Sequence, residues 1–344
     1  MPAPDPEPIE AHRETLSRMS AAGGPLRADA ATATINNPQW FTMVGGAPRP
    51  RAGRNQLHRT ILEEHRATKP NVAVDKKAII LAGPPGAGKS TVLPAVVHRS
   101  GIPFDQWRII DADYFKDRLL EQAIRDKSLW SAIAPADVRS RMAADERFYP
   151  LELASLVHEE SSLLARAARS DAITAGENIV IDTVLSDPST ALSIGAQLRA
   201  AGYQLTVVEV EVERDESIAR TQTRWRDGYV AAEAGTGAPL GGRWVPEELP
   251  ASLYEEGQTD SRCRAAASGL ARDQGAVVRY EEHRVDSTGA PALEAQYRRP
   301  GVDQKLERVS AAAVSYPTSP AAALNARRGR PDPGRRGAGN DLSR

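Results

Sequence analysis

Short, almost continuous apolar runs recur along the middle of the chain, and longer segments with helical spacing of apolar residues separate them. The apolar runs occupy residues 78–82, 107–110, 178–181, 205–210 and 276–280, the last of which we expect to be the final strand. Helices are predicted between them at residues 90–99, 114–125, 151–175 and 188–201. Because strands that are apolar on both faces alternate with helices, the pattern predicts an α/β fold. Its parallel sheet should have helices on both faces.

The segments on either side of this core have other patterns. Residues 1–75 predict an N-terminal helical or irregular extension, with helices near residues 9–22 and 57–67. The core domain is expected over residues 76–285, followed by a C-terminal extension at residues 286–316. Residues 317–344 are rich in Arg, Gly and Pro and poor in apolar residues, which is typical of a disordered basic tail.

Composition narrows the class of protein. The 344 residues carry a formal net charge of −1, so a generally basic surface for nucleic acid is not indicated. The one cysteine, Cys263, leaves no partner for an intramolecular disulfide and cannot form a Cys-rich zinc site. No apolar stretch reaches the roughly 18–20 residues that span a bilayer, and the Pro- and acid-rich N-terminus lacks the features of a secretory signal. We therefore expect a cytoplasmic protein without a membrane partner.

A phosphate-binding motif follows the first apolar run. Residues 83–91 read Gly83, Pro84, Pro85, Gly86, Ala87, Gly88, Lys89, Ser90 and Thr91, which is the P-loop pattern in its usual context of strand, turn and helix. The glycines let backbone N–H groups turn toward phosphate oxygens, and the next helix directs its positive end at the same place. Lys89 is expected to reach the β- and γ-phosphates of ATP, and the Ser90 hydroxyl to ligate Mg²⁺.

Acidic residues follow two further strands of this P-loop NTPase-type sheet. Asp111 and Asp113 come after the second strand, with Lys116 in the next turn. Asp182 and Thr183 come after the third strand. Ligands bind at the carboxyl ends of parallel strands, and phosphoryl transfer needs a carboxylate beside the acceptor hydroxyl. Asp113 is the candidate base and Asp182 a candidate Mg²⁺ ligand, although position alone predicts helix capping equally well for Asp113 and also fits Asp182.

A series of arginines follows the fourth strand. Arg220 and Arg224 are four residues apart and share a helical face. Residues 228–242 are rich in Gly and Ala, which favours a flexible loop or lid, and Arg243 stands at the end of this segment. Arginines on such a segment can neutralise the charge that spreads over a transferring phosphoryl group. We favour Arg224 and Arg243 for this role.

Three further motifs follow the P-loop in order. They are Ile-Asp-Ala-Asp-Tyr-Phe-Lys at residues 110–116, His-Glu-Glu-Ser-Ser at residues 158–162, and Gly-Glu-Asn-Ile-Val-Ile-Asp-Thr at residues 176–183, with Arg224 and Arg243 beyond them. This ordered set resembles the zeta toxins, P-loop kinases that phosphorylate UDP-N-acetylglucosamine. The resemblance covers about residues 76–280.

The resemblance implies ATP-dependent transfer to a sugar 3′-hydroxyl, with Mg²⁺, and a cognate antitoxin as a partner. It implies that Asp113 is the catalytic base and that Lys89 and Ser90 contact phosphate and Mg²⁺. Arg224 and Arg243 then match the arginines that contact the ATP phosphates and the transition state.

On the acceptor side, the resemblance places substrate contacts at Asp113 and Lys116. Either Glu159 or Glu160 matches an acidic substrate-binding position, and Thr183 matches a threonine that contacts substrate or metal. The sequence departs from the smaller toxins here, since Asp-Thr at residues 182–183 replaces Glu-Gly-Thr.

Two other functions remain open at this point. The same residues would serve a P-loop kinase for another hydroxyl, such as that of a nucleoside, an antibiotic or a different sugar. A nucleic-acid-linked NTPase anchored by the basic tail is the second alternative, but the core has no basic face and no clear hydrophobic-Asp-Glu motif.

Overall fold

A seven-stranded sheet forms the centre of the protein. The computed structural model describes residues 6–301, 304–310 and 316. The strand order is β4-β5-β3-β6-β7-β8-β9, and a separate hairpin is formed by β1 and β2. The strands are β1 Phe41–Val44, β2 Ala47–Pro50, β3 Lys77–Ala82, β4 Arg108–Asp111, β5 Ile179–Asp182, β6 Gln204–Glu211, β7 Val277–Val285, β8 Pro291–Arg298 and β9 Glu307–Val309.

Helices connect the parallel strands and cover the sheet. They are α1 Pro6–Ser20, α2 Ala52–Ala67, α3 Lys89–Arg99, α4 Ala112–Arg125, α5 Ala136–Met142, α6 His158–Ala175, α7 Pro188–Ala200, α8 Arg214–Glu233, α9 Glu248–Ala251 and α10 Arg262–Asp273. Short 3₁₀ turns lie at Thr34–Asn36, Phe104–Gln106 and Pro150–Val157, and a π-helical turn at Leu129–Ile133. The predicted helix at residues 151–175 is therefore wrong in its first part, which is the 3₁₀ turn.

The predicted fold class is confirmed, because the five strands from β3 to β7 are parallel and both faces of the sheet are covered. Alternate residues of β3 serve the two faces. Ile79 and Leu81 pack in one cluster with Val96 of α3. Ile80 packs in another cluster with Leu270 of α10. Burial on both faces explains why these strands read as continuous apolar runs.

The sheet does not end where the sequence predicted. β8 pairs antiparallel with β7, and β9 pairs antiparallel with β8. Most residues of β8 are partly or fully exposed, and β9 has no buried residue. A strand with one solvent-exposed face contains no continuous apolar run. The pattern that predicted the other strands therefore does not predict β8 and β9.

The N-terminal helices α1 and α2 belong to a core cluster that also includes residues of α4, α6 and α8. Leu16 of α1 and Leu26 are fully buried and share this cluster with Phe115 and Leu119 of α4 and with Trp225 of α8. Among the described helices, none is long and apolar enough to cross a membrane. The tail predicted at residues 317–344 lies outside the described residues, as do residues 1–5.

Candidate active site

The turn between β3 and α3 has a backbone that only glycine adopts easily. Gly83, Gly86 and Gly88 have φ angles of 145°, 77° and 81°, and Gly88 is the N-cap of α3. The available space also requires glycine at position 83, because a Cβ there would lie 2.2 Å from the carbonyl oxygen of Val210. The loop therefore has the geometry of a phosphate cradle at a helix N-terminus.

Helix α8 holds this loop from its outer side. The Ser217 hydroxyl donates to the Pro85 carbonyl oxygen at 2.6 Å, and Arg220 Nη1 donates to the Gly86 carbonyl oxygen at 3.4 Å. A Cβ on Gly86 would lie 2.9 Å from the Ser217 carbonyl oxygen. The sequence did not indicate Ser217, whose only signal is its position one turn before Arg220.

Lys89 lies where the strand ends meet. Its Nζ donates to the carbonyl oxygens of Gly83 at 2.6 Å and Pro84 at 3.3 Å, and lies 4.0 Å from Asp182 Oδ1. Strand register places Asp182 beside Leu81 on one side and beside Asp111 on the other. The structure thus brings the P-loop and the acidic strand ends to one edge of the sheet.

The residues at this edge fit ATP with Mg²⁺. A Cβ on Gly83 or Gly86 would lie under 3.0 Å from backbone oxygens, and Ser90 and Asp182 supply one hydroxyl and one carboxylate. Among the described residues there is no group of three or more His, Cys, Asp or Glu side chains that could hold a metal. Proteins bind Mg²⁺ through one or two side chains together with phosphates and water, and Ser90 and Asp182 would supply the side chains.

Asp111 and Asp113 have different roles at the start of α4. The Asp111 side chain accepts a hydrogen bond from the backbone N–H of Asp113 at 2.9 Å and so caps the helix. The Asp113 carboxylate instead accepts from Lys116 Nζ at 3.1 Å and from Arg243 Nη1 at 2.6 Å. The same guanidinium donates from Nη2 to Asp117 Oδ1 at 2.7 Å. The sequence missed Asp117, which lies four residues after Asp113 on the same helical face.

Three cations act on Asp113. Enclosure by the protein raises its pKa, but the charges of Arg243, Lys116 and Arg224 outweigh this effect and hold the pKa of Asp113 well below its usual range. Asp113 is therefore ionised at neutral pH and can accept a hydrogen bond or a proton from a hydroxyl. Arg224, whose side chain is exposed, is the most weakly acting of the three.

The ends of the predicted loop or lid at residues 228–242 are tightly packed, whereas its central residues 233–237 are exposed. Helix α8 continues to Glu233 and includes Gly228. A Cβ on Gly241 would lie 2.3 Å from Tyr149 Cβ, and one on Gly242 would lie 1.8 Å from the Trp225 carbonyl oxygen. The glycines permit close backbone contact here, and this contact fixes the approach of Arg243 to α4.

The two glutamates at the start of α6 lie in different environments. Glu160 is fully buried and accepts from Arg54 Nε at 2.6 Å, from Arg54 Nη2 at 2.7 Å and from His58 at 2.6 Å. Burial raises its pKa, but His58 and Arg54 outweigh burial and lower the pKa of Glu160 to about 2. Glu159 is exposed. The structure therefore does not bring the Glu160 carboxylate to the cleft, whereas the Glu159 carboxylate reaches solvent.

Two further residues border the cleft. Thr183 follows Asp182 directly; its N–H donates to the Leu81 carbonyl oxygen at 3.0 Å, and its Oγ1 accepts from the Leu185 N–H at 3.3 Å. His158 precedes Glu159, and its pKa is lowered by burial and by the charge of Lys116. Helices α4 and α6 also pack against each other.

A family model described as Zeta toxin matches residues 59–284. The chain belongs to the zeta toxin family. The match begins inside α2 and so includes part of the N-terminal layer of this zeta toxin family member. A comparison with curated proteins finds no match.

A comparison with solved structures finds several that are similar to this zeta toxin family member. One is the AvrRxo1-ORF1:AvrRxo1-ORF2 complex with sulphate ions, which is 16% identical with a TM-score of 0.49, over 75% of this chain and 71% of that chain. A complex of the same pair with ATP is 16% identical with a TM-score of 0.47, over 87% and 82%. The PezAT toxin-antitoxin system of Streptococcus pneumoniae is 14% identical with a TM-score of 0.47, over 70% and 81%.

Proposed function

We propose that this zeta toxin family member is an ATP- and Mg²⁺-dependent kinase that phosphorylates a hydroxyl of UDP-N-acetylglucosamine or a related nucleotide sugar. The observation that carries the proposal is the position of Asp113. Its ionised carboxylate lies at the end of β4, two strands from the P-loop strand, with Arg243 and Lys116 on it. Transfer to an alcohol needs a residue that orients the hydroxyl and accepts its proton, and Asp113 would fill this role.

On the nucleotide side, the loop N–H groups and Lys89 would hold the phosphates, and Ser90 and Asp182 would hold Mg²⁺. The metal would neutralise charge on the β- and γ-phosphates. Lys89 would then exchange its contacts with the loop carbonyls for phosphate oxygens. Arg224 and Arg243 would stabilise the charge that develops on the transferred group.

On the acceptor side, Asp113 would orient the hydroxyl and take its proton. Lys116, Thr183 and Glu159 would contact the rest of the acceptor. We assign the acidic substrate contact to Glu159 because its carboxylate is exposed, while that of Glu160 is enclosed by Arg54 and His58. Family membership also motivates the proposal of an antitoxin partner in the cytoplasm.

Purified protein should be incubated with Mg-ATP and UDP-N-acetylglucosamine, and the products analysed by mass spectrometry. We expect ADP and a sugar nucleotide that carries one additional phosphate. The same assay with a panel of nucleosides, antibiotics and other sugars tests the alternative acceptors. ATP binding without phosphorylation of UDP-N-acetylglucosamine would exclude this acceptor, and phosphorylation of another panel member would identify the replacement.

A further inference from the structure

Each of the two candidate phosphate-binding arginines is followed by a buried tryptophan. Trp225 comes after Arg224 in α8, and Trp244 comes after Arg243. Their side chains are 1% and 4% exposed, and the rings meet edge to face with centroids 5.4 Å apart at 81°. The backbone at each arginine is thus fixed by the ring of the next residue.

Both indole N–H groups are held by buried polar partners. Trp225 Nε1 donates to Glu152 Oε1 at 3.0 Å, and Trp244 Nε1 donates to the Ser20 hydroxyl oxygen at 2.9 Å. Ser20 is the last residue of α1 and is 3% exposed. A buried polar group without its partner costs free energy, so these bonds specify the orientation of each ring.

Helix α1 also reaches Trp225 through Glu152. In α1, His12 Nε2 lies 3.1 Å from Glu152 Oε1, and His12 Nδ1 lies 2.8 Å from Glu146 Oε1. The Glu152 carboxylate is fully buried and accepts the Tyr149 N–H at 2.8 Å through its other oxygen. A protonated His12 can donate one hydrogen bond to each glutamate, which satisfies this network. The network thereby fixes Glu152, which accepts the hydrogen bond from the Trp225 indole.

A third contact joins α1 to the same two segments. Arg13 Nη1 donates to Glu247 Oε1 at 3.1 Å, and Gln222 of α8 donates to the same oxygen. Glu247 lies three residues after Trp244. One face of α1 therefore binds the segment beyond Arg243 and the part of α8 that carries Arg224.

We propose that α1 is a positioning element for the reaction, which sets Arg224 and Arg243 in the cleft through Trp225 and Trp244. This inference rests on the proposed kinase function and deepens it. The helix contributes no group to the substrates, and its residues act through the tryptophans. Loss of one of these bonds would shift an arginine that acts mainly on the transition state, so turnover would change more than ATP binding.

The test compares Ser20→Ala with Ser20→Thr and Tyr203→Phe in the full-length chain. Ser20→Ala removes the acceptor of the Trp244 indole, and Ser20→Thr retains a hydroxyl. We expect Ser20→Ala to lower kcat by about tenfold, with KM for ATP within about twofold, because small misplacement of a catalytic group is costly. Ser20→Thr should restore kcat to near the wild-type value.

Tyr203→Phe is the matched control for stability. Its hydroxyl donates to the carbonyl oxygens of Glu177 at 2.8 Å and Ala172 at 3.2 Å, within a core cluster that contains neither tryptophan. The Tyr203→Phe variant loses a buried hydrogen bond that involves neither tryptophan. Urea unfolding should show that Tyr203→Phe and Ser20→Ala are destabilised to a similar extent, whereas Tyr203→Phe should keep the wild-type kcat. If Ser20→Ala retains its kcat, or loses no more than Tyr203→Phe, the proposal is overturned.

Hydrogen exchange separates this inference from the proposed function. We expect Ser20→Ala to accelerate amide exchange within residues 241–247 and 222–226, and Tyr203→Phe to leave both segments unchanged. This readout needs no acceptor, so it still decides the positioning role if the wild-type protein phosphorylates none of the tested compounds. Unchanged exchange in both segments contradicts the role of α1. If Ser20→Ala does not fold, Trp244→Phe removes the same bond from the other partner and retains an aromatic ring.

Discussion

Arg243 Nη1 donates a 2.6 Å hydrogen bond to Asp113 Oδ1, across 130 positions of the chain. The arginine side chain is 12% exposed, whereas that of Asp113 is 47% exposed. The pair therefore joins an enclosed cation to a carboxylate that is open on its other side. In the proposed reaction this contact keeps Asp113 ionised and places Arg243 next to the reacting hydroxyl.

We expect Asp113→Asn to lower kcat by roughly 10²- to 10⁴-fold, since this is the usual contribution of a positioned general base. An amide retains the shape and can accept from Arg243, but it cannot take a proton at neutral pH. ATP affinity, measured by calorimetry, should stay near the wild-type value because the phosphate cradle is not altered. Asp117→Asn, which changes the other acceptor of Arg243, should reduce kcat less. A kcat within a few-fold of wild type in Asp113→Asn would remove Asp113 from the role of base.

The position of Arg243 can be tested at the glycine that precedes it. Gly242→Ala would place a Cβ 1.8 Å from the Trp225 carbonyl oxygen, so the backbone must move. We expect lower kcat and a loss of about 1–3 kcal/mol in the free energy of unfolding, as is typical of overpacking. Kinetics and urea unfolding of the same preparations give both values.

Gly269→Ala is the control for a glycine substitution. Gly269 lies inside α10, and a Cβ there would meet no atom within 4 Å. It should leave kcat unchanged and raise the free energy of unfolding by about 0.5–1 kcal/mol, the usual gain for this change in a helix. Equal kinetics for the two variants would mean that the packing of Gly242 does not set the position of Arg243.

Much of this architecture follows from local sequence. Strands β3 to β6 were predictable because almost all of their residues are buried, and parallel strands place Asp111 and Asp182 at one edge of the sheet. Only the first part of β7 was predicted, because the strand continues through polar residues and mixes buried with partly exposed positions. The glycine loop was predictable because its backbone needs positive φ angles. These features depend on residues that are close in the chain or on a regular period.

The remaining features depend on contacts between residues that are far apart in the chain and are not related by helical or strand periodicity. His12 and Glu152 lie 140 positions apart, and neither has a sequence signal that names the other. Sequence also could not choose between Glu159 and Glu160. Adjacent helical residues point about 100° apart, so one of them can be buried and the other exposed, but only the contact with Arg54 shows which is which.

That difference predicts separate effects for the two glutamates. Glu160→Gln leaves the buried Arg54 guanidinium without a counter-charge, and breaking a buried pair in this way costs roughly 3–5 kcal/mol. Its urea midpoint should fall accordingly. Glu159→Gln should leave the urea midpoint near that of wild type and raise KM for the acceptor. The reverse pattern, with a stable Glu160→Gln protein and an unaffected acceptor KM in Glu159→Gln, would contradict the assignment of Glu159 to the substrate.

Stability should depend on pH through His12. Burial lowers the pKa of His12, but Glu152 and Glu146 outweigh burial and raise the pKa above its ordinary value. The rings of Phe148, Tyr229 and Trp225 also pack around this imidazole, and Arg141 is paired with Glu146. Because the folded-state pKa lies above the unfolded value of about 6.5, the stabilisation is present in full below about pH 6.5. It is lost as the pH rises through the raised folded-state value.

Urea unfolding of wild type and His12→Gln between about pH 5.5 and 8.5 measures this contribution, in a window above the ordinary titration of the carboxylates. We expect the stability advantage of wild type over His12→Gln to be largest at the acidic end and to shrink as the pH rises, since glutamine does not titrate. A difference between the two proteins that stays constant across the range would mean that folding does not shift the pKa of His12, which would contradict the role of the two glutamates.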